Sequence, residues 1–84
     1  MELQHEKGRV YMEDAQGKVL AEITFPETIP GTVNIDHTFV DDSLRGQGMA
    51  DKLVRAALED IAKDGKKYTA TCSYAVKWLE KHKE

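Results

Sequence analysis

The glycine-containing stretch from Leu44 to Ala50 has the composition of an anion-binding loop. It follows an apolar run at residues 33–40 and precedes a long amphipathic helical pattern. Glycines at Gly46 and Gly48 let the backbone come close to a ligand, because no Cβ stands in the way. The first helical turn also leaves N–H groups without partners, and together with the helix dipole they favour a phosphate. The stretch therefore predicts a phosphate site, although similar glycines occur in loops that bind nothing.

Two side chains outside this stretch have types suited to group transfer. Cys72 comes just before a predicted helix start at Ser73, and a helix N-terminus favours the thiolate over the thiol. Cys72 is therefore a candidate nucleophile or a residue that lines an acyl pocket; the alternative is a small buried apolar residue. His37 shares a predicted strand face with Val33 and Phe39. It is either a core residue or a general base, since histidine exchanges protons readily near neutral pH.

Alternating apolar residues predict three strands in the first half of the chain. Residues 3–12 form a weak candidate that Gly8 interrupts, and residues 18–25 alternate clearly after a turn at Gly17. Together they predict a hairpin. Residues 26–31 contain two prolines and a glycine and predict a loop. Residues 33–40 are the clearest strand of the chain.

The period changes to that of a helix at Gly48. The apolar residues at helical spacing are Ala50, Leu53, Val54, Ala57, Leu58 and Ile61. Gly65 predicts the end of this helix. A short strand at residues 67–72 and a closing helix capped by Ser73 follow, with Ala75, Trp78, Leu79 and His82 on one face.

The predicted order β-β-β-α-β-α indicates an α+β fold of α/β type. The strands that flank the first helix are expected to lie side by side and parallel, with a right-handed crossover.

Length and composition limit the possible classes of protein. With 84 residues the chain is expected to form one domain over residues 1–84. A net charge of -3 argues against general nucleic-acid binding, and no metal site is predicted. Cys72 is the only cysteine, there is no secretory signal pattern, and no apolar run is long enough to cross a membrane. These features predict a cytoplasmic protein.

Four runs of residues together resemble the GCN5-related N-acetyltransferase (GNAT) superfamily. They are residues 35–40, the glycine stretch, Leu53-Val54, and Cys72-Ser73-Tyr74. The stretch matches the superfamily motif Q/R-x-x-G-x-G/A at Arg45, Gly48 and Ala50. The resemblance extends from about Val10 to His82 and is strongest to the small, single-domain YjdJ-like branch. It implies a GNAT-like domain with a mostly antiparallel sheet and a central parallel strand pair joined by a helix crossover.

The resemblance also implies a cofactor, acetyl-coenzyme A, and a set of residues that bind it. The pyrophosphate would be bound by Arg45, Gly46, Gln47, Gly48, Met49 and Ala50. The pantetheine arm would lie in a split between strands 33–40 and 67–72, in contact with Phe39, Val40, Cys72 and Tyr74. His37 and Cys72 match an active pair considered for the small branch, and Tyr74 is a less clean match to a general acid.

The implied reaction is transfer of an acetyl group to an amine that the sequence does not identify. The transfer would be direct, with a base removing the proton, or would pass through an acyl group on Cys72. Superfamily members usually build the acceptor site from additional segments of the chain. In place of those segments, this sequence has only the loop after Phe25. A non-catalytic module that binds coenzyme A is the alternative, and a domain whose loop binds no nucleotide is a third possibility. A monomer or weak dimer is expected.

Overall fold

Seven strands and two helices make up the computed structural model, which describes residues 2–82. They are β1 (Gln4–Glu6), β2 (Arg9–Glu13), β3 (Val19–Thr24), β4 (Glu27–Ile29), β5 (Thr32–Ile35), β6 (His37–Val40), α1 (Met49–Lys63), β7 (Lys67–Ala70) and α2 (Ser73–Lys81). An antiparallel sheet has the order β1-β2-β3-β6, and a second sheet has the order β4-β5-β7. In the second sheet β5 and β7 run parallel. The predicted α+β class and the parallel pair across α1 are confirmed.

The two N-terminal turns depend on glycines with positive φ. Gly8 has φ 74° and reverses the chain between β1 and β2, so the single strand predicted for residues 3–12 is wrong. Its carbonyl accepts a hydrogen bond from the Phe25 N–H. Gly17, with φ 85°, closes the predicted turn before β3, where the Asp14 carboxylate accepts from the Gln16 and Lys18 amides. The predicted β2–β3 hairpin is confirmed.

The segment predicted as a loop at residues 26–31 contains a strand. β4 pairs antiparallel with β5 after a turn at Gly31. The two prolines obscured this strand, because Pro26 and Pro30 lie immediately outside it rather than within it.

Residues 33–40 form two strands, so the prediction of one continuous strand is wrong. Val33 and Ile35 are buried, yet His37 and Phe39 are exposed, and Thr38 is half-buried. Residues with odd numbers face the core before Asp36, and residues with even numbers face it afterwards. A shift of one residue in the alternation at Asp36 therefore exchanges the two faces. The predicted placement of His37 on the face of Val33 is therefore also wrong.

Helix α1 covers one face of the antiparallel sheet with the predicted apolar stripe. Its buried residues are Met49, Leu53, Val54, Ala57 and Ile61, and it contacts β2, β3 and β6. Ala50 and Leu58, which the stripe included, are half-buried. The helix ends before Gly65, at φ 67°, as predicted.

Helix α2 packs Ala75 and Trp78 into the same core. Two boundaries near it differ from the prediction. β7 ends at Ala70, not at residue 72, and the N-cap of α2 is Cys72, whereas Ser73 is the first helical residue. Cys72 therefore lies at the junction between the strand and the helix.

Candidate functional site

A gap opens between two strands where the parallel pairing stops. β5 and β7 are paired from Thr32 and Lys67 to Ile35 and Ala70. Beyond that point the N–H groups of residues 71 and 72 both donate to the Ile35 carbonyl, at 3.1 Å each. β6 then turns away and pairs with β3. β6 and residues 71–72 therefore diverge as a V. The resemblance described above implies a split at this place, between strands 33–40 and 67–72.

The edge of β6 that faces this gap carries main-chain groups without strand partners. The Asp41 N–H donates to the Leu20 carbonyl at 2.7 Å, so residues 20 and 41 form a hydrogen-bonded pair at the end of β3 and β6. Hydrogen-bonded and non-hydrogen-bonded pairs alternate along two antiparallel strands. The peptide groups of Phe39 therefore face β3, whereas those of Thr38 and Val40 face the gap. Such groups require another partner when they are covered. The alternation of residues 33–40 does not single out Thr38, because it does not reveal the slip at Asp36.

Cys72 lies across the gap from Thr38. Its Sγ is 3.4 Å from the Thr38 Oγ1. The sulfur makes no capping hydrogen bond to α2, although the amides of Tyr74 and Ala75 lie nearby. Burial raises the pKa of the Cys72 thiol, but the Thr38 hydroxyl and amide and the two helix amides outweigh burial, so the pKa is lowered. The site therefore stabilises the thiolate more than water does.

The glycine loop leaves its backbone open to an approaching ligand. Gly46 and Gly48 have φ values of 82° and 69°, and a Cβ added at either would meet no atom within 4 Å. Gly48 is the N-cap of α1 and offers no side-chain cap. Within residues 2–82, none of the six amides from residue 46 to residue 51 donates to an acceptor with good geometry. The loop thus presents a cluster of free N–H groups at the positive end of α1.

The approach to the loop is held by a short 3-10 turn at Asp42–Leu44. The Asp41 carboxylate accepts from the amide and hydroxyl of Ser43, at 3.0 and 2.7 Å. These hydrogen bonds lower the pKa of Asp41. The turn delivers Arg45, whose side chain is 75% exposed and pairs with Asp42 at 2.9 Å. Arg45 therefore adds a solvated positive charge beside the loop.

A pocket of about 190 Å³ lies beside the loop and extends to the end of β6. Its lining includes the two glycines of the loop, Val40 and Tyr74. Burial raises the pKa of Tyr74, and the charge of Asp51 adds to this effect. A larger groove, about 590 Å³, lies at the other end of α1 between His5, Lys7 and Lys66 and includes no residue of the loop. The free amides mark the smaller pocket as the candidate site.

The remaining predicted residues are distributed around this pocket. Met49 has its side chain in the core, so only its amide faces the loop; Gln47 is exposed, and Ala50 is half-buried. His37 is on the outer face of β6, with its side chain 55% exposed and Nε2 3.9 Å from Glu22 Oε1. The structure thus brings Cys72 to Thr38, and Tyr74 to the loop, but places His37 on the opposite face of the sheet from Thr38.

Two further features are absent from residues 2–82. No group of three or more histidine, cysteine, aspartate or glutamate side chains in this range is arranged to hold a metal ion. None of its helices is long and apolar enough to span a membrane.

The strand split and the open loop are accompanied by a match to a known family. The family model for the GCN5-related N-acetyltransferases matches residues 9–84, and the chain therefore belongs to this family. The solution structure of a GCN5-like protein from Staphylococcus aureus is 38% identical, with a TM-score of 0.78. The match covers 96% of this chain and 79% of that one.

Two other relatives extend the comparison. The crystal structure of the GNAT family N-acetyltransferase YhbS from Escherichia coli, in complex with CoA, is 25% identical with a TM-score of 0.60; the match covers 69% of this chain and 35% of that one. Protein NATD1 from Xenopus tropicalis is 35% identical over 51 residues, which is 61% of this chain and 47% of the relative. The match spans about half the length of that curated relative.

Proposed function

We propose that this protein binds acetyl-coenzyme A and transfers its acetyl group to an amine. The observation that carries the proposal is the cluster of free amides at residues 46–51, beside a pocket that extends to Val40 at the end of β6 and to Tyr74. Family membership and the CoA complex of the Escherichia coli neighbour support it. Open space at the two glycines fits a diphosphate in contact with the main chain.

In this proposal the loop and the split bind two parts of the same ligand. The amides from Gly46 to Ala50 donate to the diphosphate, and hydrogen bonds to a charged acceptor are short and strong. Arg45 adds charge, and Gln47 contributes its amide. The Thr38 carbonyl and the peptide groups of Val40 pair with the pantetheine amides and so continue the sheet. Phe39, between them, and Tyr74, on the pocket wall, complete the proposed contacts.

Two routes of transfer are open to these residues. The bound thioester supplies an activated acyl carbon. In the direct route the amine nitrogen attacks that carbon and His37 accepts its proton, which requires an acceptor that enters from the outer face. The thioester C–S bond then breaks, and the coenzyme thiolate leaves and takes up a proton. In the two-step route Cys72 loses its proton to solvent, and its sulfur bonds to the acyl carbon as the thioester C–S bond breaks. The coenzyme thiolate leaves and takes up a proton, and the amine then displaces Cys72.

The glycine loop gives the sharpest test of binding. Gly48→Glu places a carboxylate in the proposed diphosphate position. Gly17→Glu is the matched control, because Gly17 also has positive φ and open space at its Cβ but lies in the β2–β3 turn. Calorimetric titration with acetyl-coenzyme A is expected to show at least about a tenfold loss of affinity for Gly48→Glu alone. Equal affinity in the two variants would contradict the assigned loop.

Transfer itself is tested with labelled acetyl-coenzyme A and a panel of amines. Label on an amine supports the enzyme, and label on Cys72 that a chase with amine removes supports the two-step route. Binding without transfer to any amine or to Cys72 would instead support the alternative, a non-catalytic module that binds coenzyme A. His37→Gln is expected to slow the direct route and to leave acetylation of Cys72 unchanged.

We further propose that the chain is a member of the small, single-domain YjdJ-like branch. The Staphylococcus aureus neighbour, of which the match covers 79%, supports a short form of the domain.

A single cysteine suits a reducing compartment such as the cytoplasm. A monomer or weak dimer is proposed, and sedimentation of the purified protein tests it.

A further inference from the structure

Thr38 and Cys72 form a contact that neither strand pairing nor core packing requires. Thr38 is on β6 and Cys72 is beyond the end of β7, on opposite sides of the gap. Their side chains meet at 3.4 Å, and within residues 2–82 this is the only side-chain hydrogen bond of Thr38. The main-chain N–H of Thr38 also faces the sulfur. One residue therefore places two polar groups, a hydroxyl and an amide, beside the same sulfur atom.

We propose that Thr38 is the positioning residue that holds Cys72 as a thiolate facing the split. This proposal rests on the proposed function, in which Cys72 lies beside the acyl group. A protonated thiol donates to the Thr38 oxygen. After deprotonation the hydroxyl rotates, as hydroxyl hydrogens do, and donates to the sulfur. The amide donates in addition, so both groups of Thr38 stabilise the negative charge.

Charged groups on the surrounding elements are directed elsewhere. On β6 and β3, His37 and Glu22 lie together on the outer face. On α1, Asp51 accepts from the indole of Trp78 and from Arg55. Asp36, between β5 and β6, accepts from the Thr24 hydroxyl. On β7, Lys67 and Tyr68 are at the far end of the strand, and β5 carries no titratable side chain.

On α2, Tyr74 is next to Cys72 and is itself held in its neutral form, because burial raises its pKa. Because the charged groups are turned away, neutral hydrogen-bond donors are what lowers the pKa of Cys72. Thr38 supplies the donors that come from the facing strand.

The test is the pH dependence of alkylation by iodoacetamide, measured on the whole chain without acetyl-coenzyme A. Cys72 is the only cysteine, so the whole signal belongs to it. Thr38→Val keeps the side-chain shape and removes the hydroxyl, and Thr38→Ser restores the hydroxyl. Thr71→Val is the matched control, since the Thr71 hydroxyl accepts from Asn34 Nδ2 at 2.9 Å and does not contact the sulfur.

The expected result is that Thr38→Val slows alkylation at neutral pH by about three- to tenfold and moves the profile to higher pH. Thr38→Ser and Thr71→Val are expected to follow the wild type. A Thr38→Val profile that coincides with the wild type overturns the proposal, as does an equal shift in Thr71→Val. Circular dichroism confirms folding, and Thr38→Ala repeats the test should Thr38→Val unfold.

A separate titration with acetyl-coenzyme A distinguishes failure of this proposal from failure of the proposed function. If the wild type does not bind acetyl-coenzyme A, the proposed function fails while the alkylation profiles still decide the role of Thr38. If the wild type binds but the Thr38→Val profile does not move, only the role of Thr38 fails.

Discussion

The strands on either side of Asp36 have the same kind of sequence but different hydrogen-bond partners. On one side, β5 is paired with both β4 and β7, and Val33 and Ile35 are buried. On the other side, β6 is paired with β3, and its second edge faces a gap. We refer to residues 32–35 with 67–70 as the closed half and to residues 37–40 with 71–72 as the open half. The closed half uses its main chain for the fold, and the open half leaves main-chain groups that the proposed ligand would pair with.

Asp36 separates the two halves through its hydrogen bonds. Its N–H donates to the Thr24 carbonyl at 3.2 Å, and its carboxylate accepts from the Thr24 hydroxyl. The backbone at this residue is therefore drawn toward β3, while the preceding carbonyl, that of Ile35, remains with β7. A single residue between β5 and β6 thus marks the point where the chain passes from one sheet to the other. The comparison implies that stability should depend on the closed half and binding on the open half.

The largest expected effect is on stability, in the closed half. Ile35→Ala removes a completely buried side chain and is expected to lower the free energy of unfolding by about 2–5 kcal/mol. Val40→Ala, in the half-buried open half, is expected to cost about 1 kcal/mol or less. Urea unfolding followed by circular dichroism measures both. Equal losses in the two variants would mean that the halves are not energetically distinct.

Much of the fold was predictable because its signals are local. The stripe on α1, the turn at Gly17 and the stop at Gly65 each follow from residues within a few positions. β4 and the break at Asp36 were not predictable, because each depends on pairing with a strand distant in sequence. The alternation of apolar residues predicts one strand that continues through residue 36. Only the hydrogen bond from the Asp36 N–H to the Thr24 carbonyl shows where that strand breaks.

The candidate site was predictable to a similar extent. The glycine loop and Cys72 were found because their residue types carry chemical information. The inward direction of Thr38 depends on the break at Asp36, so it could not be derived from alternation. When a long-range hydrogen bond decides which face of a strand a side chain is on, alternation alone does not predict that face. His37 is a second example, since the break places it on the outer face.

The second expected effect concerns protection of the main chain by ligand. In the free protein, the amides of Val40 and residues 46–51 are expected to exchange quickly with solvent, because within residues 2–82 they donate to no acceptor with good geometry. Saturation with acetyl-coenzyme A is expected to slow their exchange by about tenfold to a hundredfold. The amides that pair β5 with β7 should change much less at low ligand excess. Hydrogen exchange followed by NMR measures each amide, and uniform protection of both halves would argue against a site in the gap.

The smallest expected effect concerns the helix that carries Cys72 into the open half. Asp51 of α1 accepts from Trp78 Nε1 of α2 at 2.6 Å and from Arg55 at 2.9 Å. The hydrogen bond from Trp78, followed by that from Arg55, lowers the pKa of Asp51. A carboxylate whose pKa is lower when folded adds stability that is complete above its unfolded value, near ~4. This stability is lost as the pH falls through the folded value.

Asp51→Asn is therefore expected to lower the melting temperature by a few degrees at neutral pH. The wild type and this variant should converge in strongly acidic solution, where the wild-type carboxylate is protonated. Glu59→Gln, at an exposed carboxylate on the same helix, is the matched control and should change little at either pH. A difference between the wild type and Asp51→Asn that persists in acid would mean that shape, not charge, joins the two helices. In that case the open half would be held by packing against Trp78 alone.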